Sequence, residues 1–226
     1  MTDIPQTTAA EKHVLWDLPT RIFHWSIAAL IPLAWWSAEE GDYERHAWVG
    51  YSVFVLVLFR IVWGFVGSRH SRFSDFVRGP GAVISYLRRG VQASPGHSPL
   101  GALSVLVLLT LLLLQSFSGL FNTDEVFFTG PFHYGAPGWL RDNLGAWHAT
   151  GFDVLLGFIG LHLAAIAWYQ FRRGQPLIQA MIMGATTGRR GLAPAASLWR
   201  ALLVLAGWAG LLWLAIEAAP KPQPMW

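Results

Sequence analysis

The chain contains eight histidines, and four of them, His24, His46, His148 and His162, fall within or at the ends of long apolar runs. An ionisable side chain inside a bilayer is costly and marks a functional site by default. An imidazole there can ligate a metal through one ring nitrogen or relay a proton. The other four, His13, His70, His97 and His133, lie in polar segments and read as ordinary solvated loop residues. There is no cysteine. Disulfides, Cys-ligated zinc, iron–sulfur clusters and a covalently attached c-type haem are therefore excluded. A metal centre would have to use His, Met or oxygen. His148 and His162 are fourteen residues apart. On a helix of 3.6 residues per turn that is about 40° short of four rotations, so they share one face, roughly 21 Å apart along the axis.

The elements that carry these residues follow from composition. Of 226 residues, 54% are hydrophobic and only 13% charged, with a mean hydropathy of +0.40. Soluble domains carry about 25% charged residues. A soluble globular fold is excluded, and the thirteen tryptophans fit aromatic belts at membrane interfaces. Five apolar stretches, 20–38, 48–66, 100–121, 144–171 and 198–219, predict five membrane helices of about 20 residues each. The first is the weakest, being interrupted by Arg21, His24 and Pro32. The first twenty residues hold no apolar run of the kind a cleavable signal peptide needs. Residues 76–89 predict a short interfacial helix behind a Gly-Pro-Gly turn. An aromatic, Gly/Pro-rich stretch at 127–139 is expected to cap the opposite face.

Loop charge sets the orientation. Twelve Lys and Arg fall on the side of the N-terminus and three, Arg45, Arg141 and Lys221, on the other. By the positive-inside rule the N-terminus is cytoplasmic and the C-terminus periplasmic. The basic pI of about 9.6 is thereby explained without a nucleic-acid partner. Depth then pairs the histidines, His46 with His148 on the outer side and His24 with His162 on the inner side. Two bis-histidine sites stacked across a membrane are what two b-type haems require. A proton relay or transporter site is the reading for a single membrane histidine; four at matched depths favour haem. A zinc site fits poorly, because the pairs are too far apart to share one ion. Gly50, Gly145, Gly151 and Gly160 lie within one turn or so of the histidines, where a small residue lets a flat macrocycle approach. Arg21 and Arg60 are candidates to neutralise propionates of the inner haem. Arg45 and Arg141 could serve the outer haem in the same way, but their place at the membrane edge favours reading them as anchors that snorkel to lipid headgroups.

The blocks VLWDLPTRIFHW, RHAWVGY, RIVWGFVGSRHSRFSDF, HSPLGALSVLVLLTLLLLQSFSGLF and WHATGFDVLLGFIGLHLAAIAWY resemble, in order, the bacterial cytochrome b561 family. That family includes the cytochrome b subunit of nickel–iron hydrogenases. The resemblance covers residues 14–173. It implies a four-helix bundle holding two b haems, with His24, His46, His148 and His162 as ligands in the pairing that depth gives. It also implies electron transfer between membrane quinol and a partner redox protein, or oxidation of superoxide. A fifth apolar segment, a long second connection and an extended outer loop set this chain apart from shorter members.

The expected organisation is thus a cytoplasmic segment at 1–19, a four-helix di-haem cytochrome b unit at 20–173, and a cytoplasmic loop, fifth transmembrane helix and short outer tail at 174–226. The expected function is a respiratory electron-transfer subunit in the bacterial inner membrane. It would work between quinone and a hydrogenase, a dehydrogenase or a cytochrome c. The alternatives are a self-contained quinone or superoxide oxidoreductase and a non-haem transporter.

Overall fold

The computed structural model describes residues 15–89, 97–185 and 197–221. The segment before residue 15, the loop that carries Arg189 and Arg190, and the last five residues lie outside the described residues, as do the side chains of Leu87 and Arg89. The chain is all-α: among the described residues it has no β-strand, only an isolated antiparallel bridge between Thr123 and Thr129.

Five helices are long. They are α1 Leu18–Glu39, α2 Tyr43–Val66, α5 Pro99–Gly119, α6 Gly138–Ala167 and α8 Leu198–Glu217. Between them lie three short ones, α3 Phe73–Phe76, α4 Pro80–Arg89 and α7 Leu177–Met183. Four of the long helices are apolar enough to cross a membrane: α2, α5, α8, and α6 with the π turn Trp168–Arg172 that continues it. The first helix is long enough at 22 residues but less apolar, as its Arg21, His24 and Pro32 dictate.

Local chemistry explains the boundaries. The carboxylates of Asp17 and Asp42 cap α1 and α2 by accepting from the N–H of Thr20 and of Arg45, each at 3.0 Å, and the Ser98 hydroxyl caps α5 by accepting from Gly101 at 3.1 Å. Gly41, at φ +72°, makes the tight turn that sends α2 back antiparallel along α1. One expectation needs correcting. The fourth membrane helix begins at Gly138, ahead of the apolar stretch at 144–171, so His148 sits nearly three turns in. Pro137 stands at its N-cap, and Arg141, Asp142 and Asn143 make the opening turns too polar for hydropathy to register. The short helix expected behind the Gly-Pro-Gly turn is α4, Pro80–Arg89, and α3 is a separate turn that ends at Phe76.

The second helix is central. It packs against α1, α5 and α8, while α5 carries α6 on its other side. Phe23 and Ile27 of α1, Val53, Val57, Phe59 and Trp63 of α2, Leu109 and Leu112 of α5, Leu155 of α6 and Ala201 of α8 form one core. Exposed tryptophans ring both ends. Trp35, Trp36, Trp48, Trp139 and Trp213 lie at the end that holds His46, and Trp25, Trp168 and Trp199 at the end that holds His24. This is the arrangement of two interfacial belts.

A polar lock closes the His24 end. Asp17 is 1% exposed, and its Oδ2 accepts from the Trp63 indole at 3.0 Å and from the Ser68 N–H at 3.4 Å. Thr20 and Ser68 hydroxyls both meet the Ser71 hydroxyl, at 2.8 and 3.0 Å. The start of α1 is thereby tied to the end of α2. Burial alone would raise the Asp17 carboxyl, but hydrogen bonds from Ser68, Thr20 and Trp63 outweigh it and hold it below its ordinary 3.8.

A depressed carboxyl contributes stability above its unfolded value and loses it as pH falls through the folded one. Asp17→Ala is expected to lower the thermal midpoint in detergent. The cost is about 1 kcal/mol for the cap and roughly 1–3 kcal/mol for the orphaned indole. The gap between wild type and variant should close as the pH drops below 3.8.

Candidate functional site

The four membrane histidines come together in two pairs at opposite ends of the bundle. His46, in the first turn of α2, faces His148 on α6, with ring centroids 6.0 Å apart and planes at 86°. His24, on α1, lies within electrostatic reach of His162 on α6. The fourteen-residue interval on unbroken helix holds the two levels about 21 Å apart along α6. Among the described residues no three His, Asp or Glu side chains converge on one point, so the pairs are not a polynuclear or zinc-type cluster.

Three of the four rings are oriented through their Nδ1 atoms. His46 Nδ1 lies 2.9 Å from the carbonyl oxygen of Ala34 on α1. His148 Nδ1 lies 3.0 Å from the carbonyl oxygen of Gln115 on α5 and 3.2 Å from the Ser118 hydroxyl. A carbonyl can only accept, so both Nδ1 atoms carry the proton and both Nε2 atoms keep a free lone pair. Metal-binding histidines are held in the same way, with the outer nitrogen donating to a carbonyl. His162 Nδ1 is 3.4 Å from the Ser104 hydroxyl on α5. His24 Nδ1 is buried with no hydrogen-bond partner, and its ring stands edge-on to Trp25 at 5.1 Å.

Gln115, Ser118, Ser104 and Gly119 are therefore part of the site, and none stood out in the sequence. The Gln115 amide also donates to the His148 carbonyl at 2.9 Å. A Cβ on Gly119 would stand 2.9 Å from Cε1 of His148, so only glycine leaves the ring in place. A faint signal lies in the sequence: Gln115, Ser116 and Ser118 cluster at the end of a helix whose other polar residues, Ser104 and Thr110, stand alone.

The glycines divide. Gly50, one turn from His46 on the same face, has nothing within 4 Å of where a side chain would begin, which leaves open space there; Gly160 is equally open but is exposed and faces away from His162. Gly145 and Gly151 instead abut Asn122 and Gln115, at 3.4 and 2.7 Å, and serve close helix packing.

The arginines divide as well. Arg60 follows His46 by fourteen residues and so lies on the His46 face of α2, at the level of the other pair. It is 3% exposed, with Nη1 buried and lacking a hydrogen-bond partner. Its guanidinium lies over the Phe73 ring at 5.3 Å, within electrostatic reach of Asp17. Arg21 is engaged elsewhere. Its Nε donates to the Met181 carbonyl at 3.3 Å and its Nη2 to that of Ile182, holding the C-terminus of α7. Arg45 pairs with Asp42 at 3.0 Å and covers Trp36, as a surface anchor would. His97 is packed on Trp16 and Phe76; burial, then Arg60, push it down to about 3, so it is neutral at physiological pH.

The profile of the family described as prokaryotic cytochrome b561 matches residues 15–184. A probable Ni/Fe-hydrogenase B-type cytochrome subunit of Rhizobium leguminosarum bv. viciae is 23% identical over an alignment that covers 80% of this chain and 95% of that one. No solved structure matches.

The family implies haem b, and the residues present fit it. Two imidazole–metal bonds of about 2 Å each, with the two ring radii, add up to roughly 6 Å, the separation observed for His46 and His148. Their free lone pairs are on Nε2, the open space lies beside Gly50, and no thiol is needed for a non-covalent b haem. With the family profile spanning most of the chain, and with four helices long and apolar enough to cross a membrane, the protein belongs to the prokaryotic cytochrome b561 family, as a multi-pass membrane b-type cytochrome of electron transfer.

Proposed function

We propose that the protein holds two b haems, one between His46 and His148 and one between His24 and His162, and carries electrons between the quinone pool and a partner redox protein. The observation that supports this most strongly is the His46–His148 pair, whose Nδ1 atoms are both tied to carbonyls of other helices while the rings stand 6.0 Å apart. Each haem supplies one-electron chemistry at an iron that alternates between Fe(III) and Fe(II). The protein's residues do the rest. His46 with His148, and His24 with His162, would hold the irons with two imidazoles each, a ligand set that would favour electron transfer over oxygen binding. Gly50 leaves room for the macrocycle, and Arg60 supplies a buried cation at the His24–His162 level. Arg21 acts at that level through the position of α7 and the start of α1.

The unit carrying both haems is residues 20–173, and α8 buttresses it through α2. The charge asymmetry supports an N-terminus in the cytoplasm of a bacterium, a seat in its inner membrane, and a His46–His148 level toward the periplasm. The relative named as a hydrogenase cytochrome subunit favours a hydrogenase-type partner, a dehydrogenase or soluble cytochrome c being the other donors of that kind. Quinone reacts at one end of the haem pair, where polar side chains can take and give its protons.

Replacing His148 with Ala is expected to remove the His46-side haem, and replacing His162 the other. The pyridine haemochrome ratio should fall from about two per chain toward one, with a different α-band lost in each variant. Retention of both haems in both variants would refute the ligand assignment. A nearby cation favours reduction, because reduction adds negative charge. Arg60→Leu is therefore expected to lower the midpoint of the His24–His162 haem and leave the other unchanged. Equal midpoints in wild type and variant would remove Arg60 from the site. A reporter active only in the periplasm should work when fused after Trp226, and silence there would invert the orientation.

A further inference from the structure

At the His46 end, the connection from α5 to α6 folds over a cavity of about 480 Å³. The fold of the connection is tight. Asp124 Oδ1 accepts from the N–H groups of Val126, Phe127 and Phe128, and Gly130 sits so close to the Leu120 carbonyl that a Cβ would stand 2.5 Å from its oxygen. The volume is that of a small-ligand site. Its polar lining includes Asn122, Thr123, His133, Tyr134, Arg141 and Gly145. Glu125 and Asp142 also line it, but both are exposed at its rim, where solvent screens them.

Two of these side chains are fixed by each other. His133 Nδ1 lies 2.8 Å from the Phe121 carbonyl, which can only accept, so Nδ1 is protonated and Nε2 is the acceptor. Arg141 Nη1 donates to that Nε2 at 3.1 Å. The histidine thus orients a guanidinium, and Arg141 Nε is left buried with no hydrogen-bond partner. A group held by one nitrogen with another unsatisfied is poised for an acceptor that is not part of the chain.

The position says which acceptor. Arg141, Gly145 and His148 are spaced i, i+4 and i+7 on α6, so they lie on one face. Arg141 is two turns beyond His148, about 10 Å along the axis. A porphyrin lying against His148 with its carboxylate arms turned toward the polar end would bring them to this cavity. We infer that Arg141, positioned by His133, binds a propionate of the His46–His148 haem within this cavity. This replaces the reading of Arg141 as a headgroup anchor and of His133 as a solvated loop residue. It rests on the di-haem assignment above, and it makes the cavity part of the haem site.

The test uses the holoprotein purified in mild detergent, with haem content, redox titration and resonance Raman of the propionate bending bands read together. If wild type itself lacks the His46–His148 haem, the di-haem assignment fails. If that haem is present, Arg141→Leu decides the inference. The expected result is a roughly tenfold shift of that haem toward its oxidised form, about 59 mV for one electron, with the His24–His162 haem unmoved. His133→Leu should shift it in the same direction by less, because the guanidinium remains but is no longer held. Selective loss of that haem in Arg141→Leu would also support the anchor. If Arg141→Leu fails to accumulate, Arg141→Lys keeps the charge without the fork. It should leave the midpoint near wild type and move the propionate bands. Unchanged midpoints and bands in the variants that fold would overturn the inference.

Discussion

A neutral imidazole inside a membrane bundle has one N–H that must be satisfied by protein, since lipid offers no partner. The structure meets that demand by placing a carbonyl of a neighbouring helix opposite Nδ1, from Ala34 for His46 and from Gln115 for His148. Much else follows. The tautomer is set, the lone pair falls on Nε2, and the ring cannot turn without losing its bond. The helices supplying the carbonyls must then stay in register with the helices supplying the rings. The Gly41 turn does this for α1 and α2, and the Gly119 approach does it for α5 and α6. The His46–His148 geometry is thus a consequence of satisfying backbone and side-chain polarity in lipid.

The same register extends along the helices. On α2, His46, Gly50, Val53, Val57 and Arg60 occupy one stripe, and on α6 Arg141, Gly145, His148, Leu155 and His162 occupy another. Polar residues mark the levels, and aliphatic ones fill the space between, with Val57 and Leu155 almost fully buried. The helices therefore act as rulers, with apolar packing at mid-depth keeping water away from the space between the levels. The Asp17 lock anchors the ruler at the His24 end, where α1 would otherwise be the loosest member. It is the least apolar of the five long helices, and its Pro32 removes a backbone hydrogen bond.

Much of this was legible in the sequence. Hydropathy located the five long helices, because lipid imposes one length on every span. Depth along those helices paired the histidines, and the fourteen-residue interval put His148 and His162 on one face of α6. What was not legible depended on contacts between distant segments. Gln115 and Ser118 look like polar blemishes until α6 is laid against α5. Arg21 reads as a candidate for an anionic group, but α7, remote in sequence, supplies its partners. His133 reads as a loop residue because no local pattern announces that the loop folds back on Arg141. The start of α6 was also missed, since its first two turns are polar and hydropathy does not register them.

If the two histidine pairs are ligand pairs, electron paramagnetic resonance of the oxidised protein at low temperature should show two low-spin ferric haems and no high-spin signal. The haem between His46 and His148 should show the strongly anisotropic low-spin spectrum expected of near-perpendicular imidazole planes, which stand at 86° here. A dominant high-spin signal, or one low-spin haem per chain in fully loaded protein, would contradict that ligand assignment.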